Sequence, residues 1–166
     1  MKIREIARVV ESHPDAKKMM GKGFSLSSIF MMLDDIKAAA EMHVLFYNKS
    51  AGKIVDFLFR DGEVEIGEIE DRDKEMLLLD VNFVEIEPEE ALEIAKRRFD
   101  EQETSKPLNY LASLHSKKIG GVTAVVWTIS IIYAGMNVLT YDIDAGSGKI
   151  INEERTNIIS GIISKK

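Results

Sequence analysis

Three histidines, His13, His43 and His115, stand far apart in the chain. A neutral imidazole nitrogen is a good ligand for transition metals, but such sites need several ligands at close quarters. His43 shares its stretch with Leu45 and Tyr47, which suits a half-buried packing residue better than a ligand. Cysteine is absent, which removes disulfides, thiolate nucleophiles and Cys-based zinc sites together. Asp142, Asp144 and Glu153 are hard oxygen donors of the kind calcium takes. Gly146 stands where a third acidic or amide ligand would be, and Ser147 where the sharp-turn glycine would be, so a hairpin turn explains these residues with fewer assumptions. Neither Gly-x-Ser-x-Gly nor His-Glu-x-x-His occurs. No catalytic, cofactor-binding or metal-ligating residue is assigned, and no cofactor is expected.

Weaker motifs have plainer readings. Gly21-x-Gly23 follows no strand and lacks the rest of any nucleotide fingerprint, so it reads as a linker. Asn48-Lys49-Ser50 has the form of a glycosylation sequon but reads as a turn. Lys96, Arg97 and Arg98 fall near the C-terminal end of an expected helix, where positive charge meets the helix dipole favourably. A net charge of −6 and a pI near 5.2 argue against a nucleic-acid surface, which needs clustered Lys and Arg.

The elements that would position these residues follow from hydrophobic periodicity. Ile3, Ile6, Ala7 and Val10 predict a short amphipathic helix ending near His13-Pro14, and Asp15 to Met20 a second, ended by Gly21-Lys22-Gly23. Ser25 or Ser27 is placed to cap a third helix with the apolar set Ile29, Phe30, Leu33, Ile36 and Ala40. Strands are predicted over 42–47, 54–60 and 63–70, with Asp61-Gly62 as a hairpin turn. The acidic run 68–75 marks a boundary between units at 1–75 and 76–166. Residues 76–86 are too apolar for a loop and predict an extra strand buried on both faces. Pro88 starts a helix with Glu89 and Glu90 in its first turn. Three antiparallel strands then occupy 122–154, with Val125, Trp127, Ile129 and Ile131 on one face and Thr128 and Ser130 on the other. Leu139, Tyr141 and Ile143 face inward in the second of these strands, and Thr140, Asp142 and Asp144 outward. Ile158, Ile159, Ile162 and Ile163 make a helical face weakened by Gly161, with a strand or docked tail as the other reading. The order of helix, strand, strand, strand occurs twice, from a degenerate internal repeat or from chance likeness between two meanders.

The stretch Pro88-Glu89-Glu90-Ala91-Leu92-Glu93-Ile94-Ala95 resembles the helix start of PepSY domains. Val126-Trp127-Thr128-Ile129 is similar to their first strand, and Tyr141-Asp142-Ile143-Asp144-Ala145-Gly146-Ser147-Gly148-Lys149-Ile150 to their hairpin. The likeness covers the C-terminal half, with residues 108–121 as a long insert between helix and strand. It implies a helix wrapped by a curved antiparallel sheet, the cystatin-like arrangement, and a binding or inhibitory module without catalytic residues. The expected fold class is therefore α+β, an antiparallel β-meander packed on a helix, with two similar cystatin-like units in tandem.

Two functional classes follow. The first is a non-enzymatic binding, inhibitory or regulatory module that recognises a protein partner through its sheet or hairpin edges. The second is a small-molecule-binding protein or enzyme with a pocket between helix and curved sheet. The inward positions Val55, Phe57, Phe59, Leu139, Tyr141 and Ile143 are nearly all apolar, which favours the first. Hydrophobic residues make up 45% of the chain, enough for a real core. The charged N-terminus lacks the apolar core of a signal peptide, and no apolar run is long enough to span a bilayer. The expectation is a cytoplasmic monomer or homodimer that binds a protein partner and neither nucleic acid nor membrane.

Overall fold

Ile3, Ile6, Ala7 and Val10 lie along one side of α1 (Ile3–Ser12) and are buried in the computed structural model, which describes residues 2–33 and 41–159. His13 is extended, because Pro14 disfavours helical geometry in the residue before it, and the chain restarts as α2 (Pro14–Gly21). The first meander then runs through β1 (Ser25–Leu33), β2 (Glu41–Asn48), β3 (Lys53–Arg60) and β4 (Glu63–Asp71). A strap over 72–87, with one 3₁₀ turn at Val81–Phe83, leads to α3 (Pro88–Gln102). The second meander is β5 (Pro107–Ile119), β6 (Val122–Tyr133), β7 (Asn137–Asp144) and β8 (Ile150–Asn157).

All eight strands form one antiparallel sheet in the order β4-β3-β2-β1-β5-β6-β7-β8. Each meander runs outward from the middle, where β1 pairs with β5 from Ser28↔His115 to Leu33↔Tyr110. The fold is α+β, with an antiparallel meander packed on a helix. One face carries the core. Val44, Phe46, Val55 and Phe57 from one half and Trp127, Ile129, Tyr141 and Ile143 from the other are buried there with Ala91, Leu92, Ala95 and Phe99 of α3. The other face of the sheet is open.

Three expected elements differ. The helix expected from Ser25 or Ser27 is strand β1, with Ile36 and Ala40 outside the described residues. The expected set misleads because Ile29 and Leu33, four residues apart, both face the core by plain strand alternation, while the apolar Phe30 between them lies on the outer face. A bulge between Leu26 and Ser28 shifts the register against β2 before this stretch. The insert at 108–121 is a strand hairpin. Tyr110, Ala112 and Leu114 alternate inward, but the apolar Leu111 on the outer face interrupts the pattern, and Gly120 and Gly121 both take positive φ in its two-residue turn.

The third difference is the strap. Residues 76–86 join no ladder among the described residues, although Leu79 N–H donates to Leu26 O at 2.9 Å and both Glu85 and Ile86 N–H donate to Ala145 O. Their apolar side chains divide: Leu79 and Val84 enter the core, while Leu78 and Phe83 are exposed. Ile158 and Ile159 take helical geometry, and Ile162 and Ile163 lie outside the described residues.

Trp127 is 0% exposed, and its indole N–H donates to Ile86 O at 3.0 Å, so it ties β6 to the strap. Trp127→Ala will destabilise the fold by about 3–5 kcal/mol through lost burial and the cavity left behind. Chemical denaturation reads this directly; an unchanged midpoint with solvent-like native fluorescence would place the indole outside the core.

Candidate functional site

Strand alternation sends the residues with chemical potential to different places. Asp142 is on the open face, only 4% exposed. Its carboxylate accepts from Lys117 Nζ and Thr128 Oγ1, each at 2.6 Å, and from Asn152 at 3.4 Å. Burial pushes its pKa up, but these three hydrogen bonds together with the Lys117 charge outweigh burial and hold it below the usual aspartate value. Asp144 instead caps its own turn, accepting from the N–H groups of Gly146 and Ser147. Glu153, paired with Tyr141 in the ladder, points to the helix side and binds Arg98 at 2.6 Å and Gln102 at 3.0 Å. The three carboxylates considered for calcium do not converge. Among the described residues no group of three or more His, Asp or Glu is placed to hold a metal.

The histidines also stay apart. His13 lies between α1 and α2, its Nδ1 accepting from Asp15 N–H. His43 Nδ1 lies 2.7 Å from Asp56 Oδ2 across β2 and β3, with the Phe30 ring 6.2 Å away. His115 on β5 has Ser113 Oγ at 3.3 Å, and burial, only partly offset by Asp142, depresses its pKa. Of the basic triplet, Arg98 bridges Glu101 and Glu153, and Lys96 Nζ sits 5.8 Å from the Tyr110 ring centroid. Asn48 is a structural turn residue, donating to Lys22 O and accepting from Ala51 N–H.

Between α3 and the sheet the space is filled. Trp127, Tyr141, Phe99 and Ile143 are fully buried there, and Tyr141 donates its hydroxyl proton to Gln102 Oε1 at 2.6 Å. Burial, with the Glu153 charge beside it, pushes the Tyr141 phenol up to about 12. The location expected for a small-molecule pocket is therefore occupied by core.

The surface feature suited to recognition lies at one end of the sheet, where three segments meet. The strap, the β5–β6 hairpin and the β7–β8 turn enclose a cleft of about 500 Å³. Leu78, Phe83 and Val122 line it and are 62%, 66% and 68% exposed, with Asp80 and Asp144 beside them. Ser116 Oγ donates to Leu78 O at 2.6 Å and pins the strap against β5. The sequence signal for this site was the apolar run 76–86, whose apolar character predicts a buried strand. Nothing local marks which of its side chains turn outward.

Comparison with known proteins finds a family match over part of the chain. Residues 85–154 match PepSY, the peptidase propeptide and YPEB domain. A solved structure from Clostridium difficile 630, provisionally described as a lipoprotein, shares the fold with a TM-score of 0.52 at 18% identity, over 86% of this chain and 89% of that one. Among curated proteins none matches the sequence.

The Asp142 network predicts a pH dependence. A carboxylate whose folded pKa is depressed adds stability that is present above its unfolded value, about 3.9, and is lost as pH falls through the folded value. The unfolding midpoint will therefore drop on acidification below that range, and Asp142→Asn will flatten this part of the curve. Equal acid slopes for the two proteins would show that the network contributes no linkage.

Proposed function

With residues 85–154 forming a PepSY domain, we propose that the chain is a non-catalytic binding or inhibitory module that recognises a protein partner through the cleft between strap and hairpins. The observation that carries this reading is the trio of exposed apolar side chains, Leu78, Phe83 and Val122, around one concave site. Scattered surface hydrophobics are ordinary, but a clustered set around a cleft marks a contact site, and aromatic anchors carry much of the energy of protein interfaces. Val122 and the β7–β8 turn belong to the PepSY segment itself, and Phe83 lies just upstream of its start at Glu85. The family description supports a peptidase as the partner class. Asp80 and Asp144 beside the cleft suit a partner segment that carries Lys or Arg next to an apolar anchor.

A double variant, Phe83→Ser with Val122→Ser, isolates the cleft. Because both side chains are exposed, its stability will stay within about 0.5 kcal/mol of wild type, while capture of a peptidase from native lysate and inhibition of that enzyme by the purified protein will be lost. If the variant captures and inhibits as wild type does, the cleft is not the contact site. If neither protein inhibits any captured peptidase, the inhibitory reading fails.

A further inference from the structure

A second cleft, of about 440 Å³, shares Ser116 with the apolar one and opens between the strap and the outer face of β1 and β5. Its charged lining is Arg72, Lys74, Lys117 and Lys118 against the single carboxylate of Glu75. In a chain of net charge −6, one cleft holds a concentration of the opposite sign. Lys117 is committed to Asp142 at 2.6 Å, and Glu75 to Lys49 at 3.1 Å. Arg72, Lys74 and Lys118 form no ion pair among the described residues.

The remaining wall combines Ser27, Ser28, Ser113, Ser116 and His115 with the apolar side chains of Met76 and Leu77. The Ser27 and Ser116 hydroxyls already donate to Ser25 O and Leu78 O. Ser28 of β1 stands opposite His115 in the ladder, and Ser113 lies beside that ring. Ser28 is 6% exposed and Ser27 is also buried, both held in place by the bulge that redirects β1. Guanidinium offers a planar fork for an oxyanion, ammonium groups add point charge, and hydroxyls donate along the remaining directions. Arg72 also borders Asp56, Glu68 and Glu70 on its other side, but Lys74 and Lys118 make no ion pair among the described residues, and placing an anion between these cations relieves their mutual repulsion.

We propose that this cleft binds a compact oxyanion of the phosphate class, held by Arg72, Lys74 and Lys118 over the Ser28, Ser113 and His115 surface. The site is separate from the apolar cleft and does not depend on the protein-binding reading.

The test is a titration of the full chain, followed by backbone NMR, with inorganic phosphate in one arm and phenyl phosphate, a simple monoester, in the other. Sodium chloride at matched ionic strength is the control. Saturable shifts centred on Ser28, Ser113, His115 and Lys118 are expected. Lys74→Gln with Lys118→Gln will weaken binding about tenfold, the loss expected for charge-assisted contacts. Lys17→Gln with Lys18→Gln, exposed on α2, will leave it unchanged. Tighter binding of phosphate than of the ester assigns the site to the free anion, and the reverse assigns it to a phosphorylated small molecule. Non-saturating shifts, shifts matched by chloride, or equal loss in both lysine pairs would overturn the proposal.

Discussion

The pairing of β1 with β5 holds the molecule together. Among the described residues it is the only ladder joining the meander before residue 72 to the meander after residue 106. On its inner side Ile29, Met31 and Leu33 meet Leu114, Ala112 and Tyr110, all buried. On its outer side stand Ser28, Phe30, Met32, Leu111, Ser113 and His115. Separating these strands would expose two long edges at the centre of the molecule and cut the core in two, so the ladder stabilises by burial as much as by hydrogen bonding. The remaining edges, β4 and β8, are differently protected. Glu63, Glu65, Glu68, Glu70 and Asp71 make β4 strongly acidic, a charge pattern that discourages further strand addition.

Joining the two halves in this way determines the path of the strap. After β4 the chain must travel from one edge of the sheet back to α3 on the far half. It is fastened along the way by Leu26, by Ala145, by the Trp127 indole and by Arg4, whose guanidinium reaches the carbonyls of Val81 and Val84. Those fastenings decide which apolar side chains enter the core. Leu79 and Val84 go in, and Leu78 and Phe83 are left outside beside the β5–β6 hairpin. Both clefts are consequences of this route, one on each side of the point where Ser116 holds the strap.

Charge is also sorted by the fold. The outer face near β7 carries Asp142, neutralised by Lys117 and by neutral donors, while the helix side carries the Arg98–Glu153 and Arg155–Glu103 pairs between α3 and its end and β8. These exposed pairs set orientation more than they stabilise, since surface ion pairs contribute little each. The buried Asp142 carboxylate differs, because removing any of its donors would leave a desolvated charge short of partners.

How much was legible before the structure depends on whether the determining interaction was local. Helices α1 and α3 were readable from the three- and four-residue spacing of Ile3, Ile6 and Val10 and from Pro88 with its acidic first turn, because helix bonds close within the segment. Strands β6 and β7 were readable from strict alternation, which Trp127 and Tyr141 obey in the core. The PepSY likeness lay in short runs of the same kind. By contrast β1 looked helical because its outer face also carries apolar residues, Phe30 and Met32, so Ile29, Phe30 and Leu33 read as a helical stripe. Strand β5 was hidden because the apolar Leu111 stands on its outer face and breaks the alternation, and the apolar strap imitated a strand although its backbone makes isolated bonds to Leu26 and Ala145 instead of a ladder. Neither cleft was visible, since each gathers side chains from segments tens of residues apart. Sequence by itself determined the elements whose hydrogen bonds and periodicity are local. Only the tertiary structure decided register, which side of the strap faces water, and where charge collects, because those depend on long-range pairing.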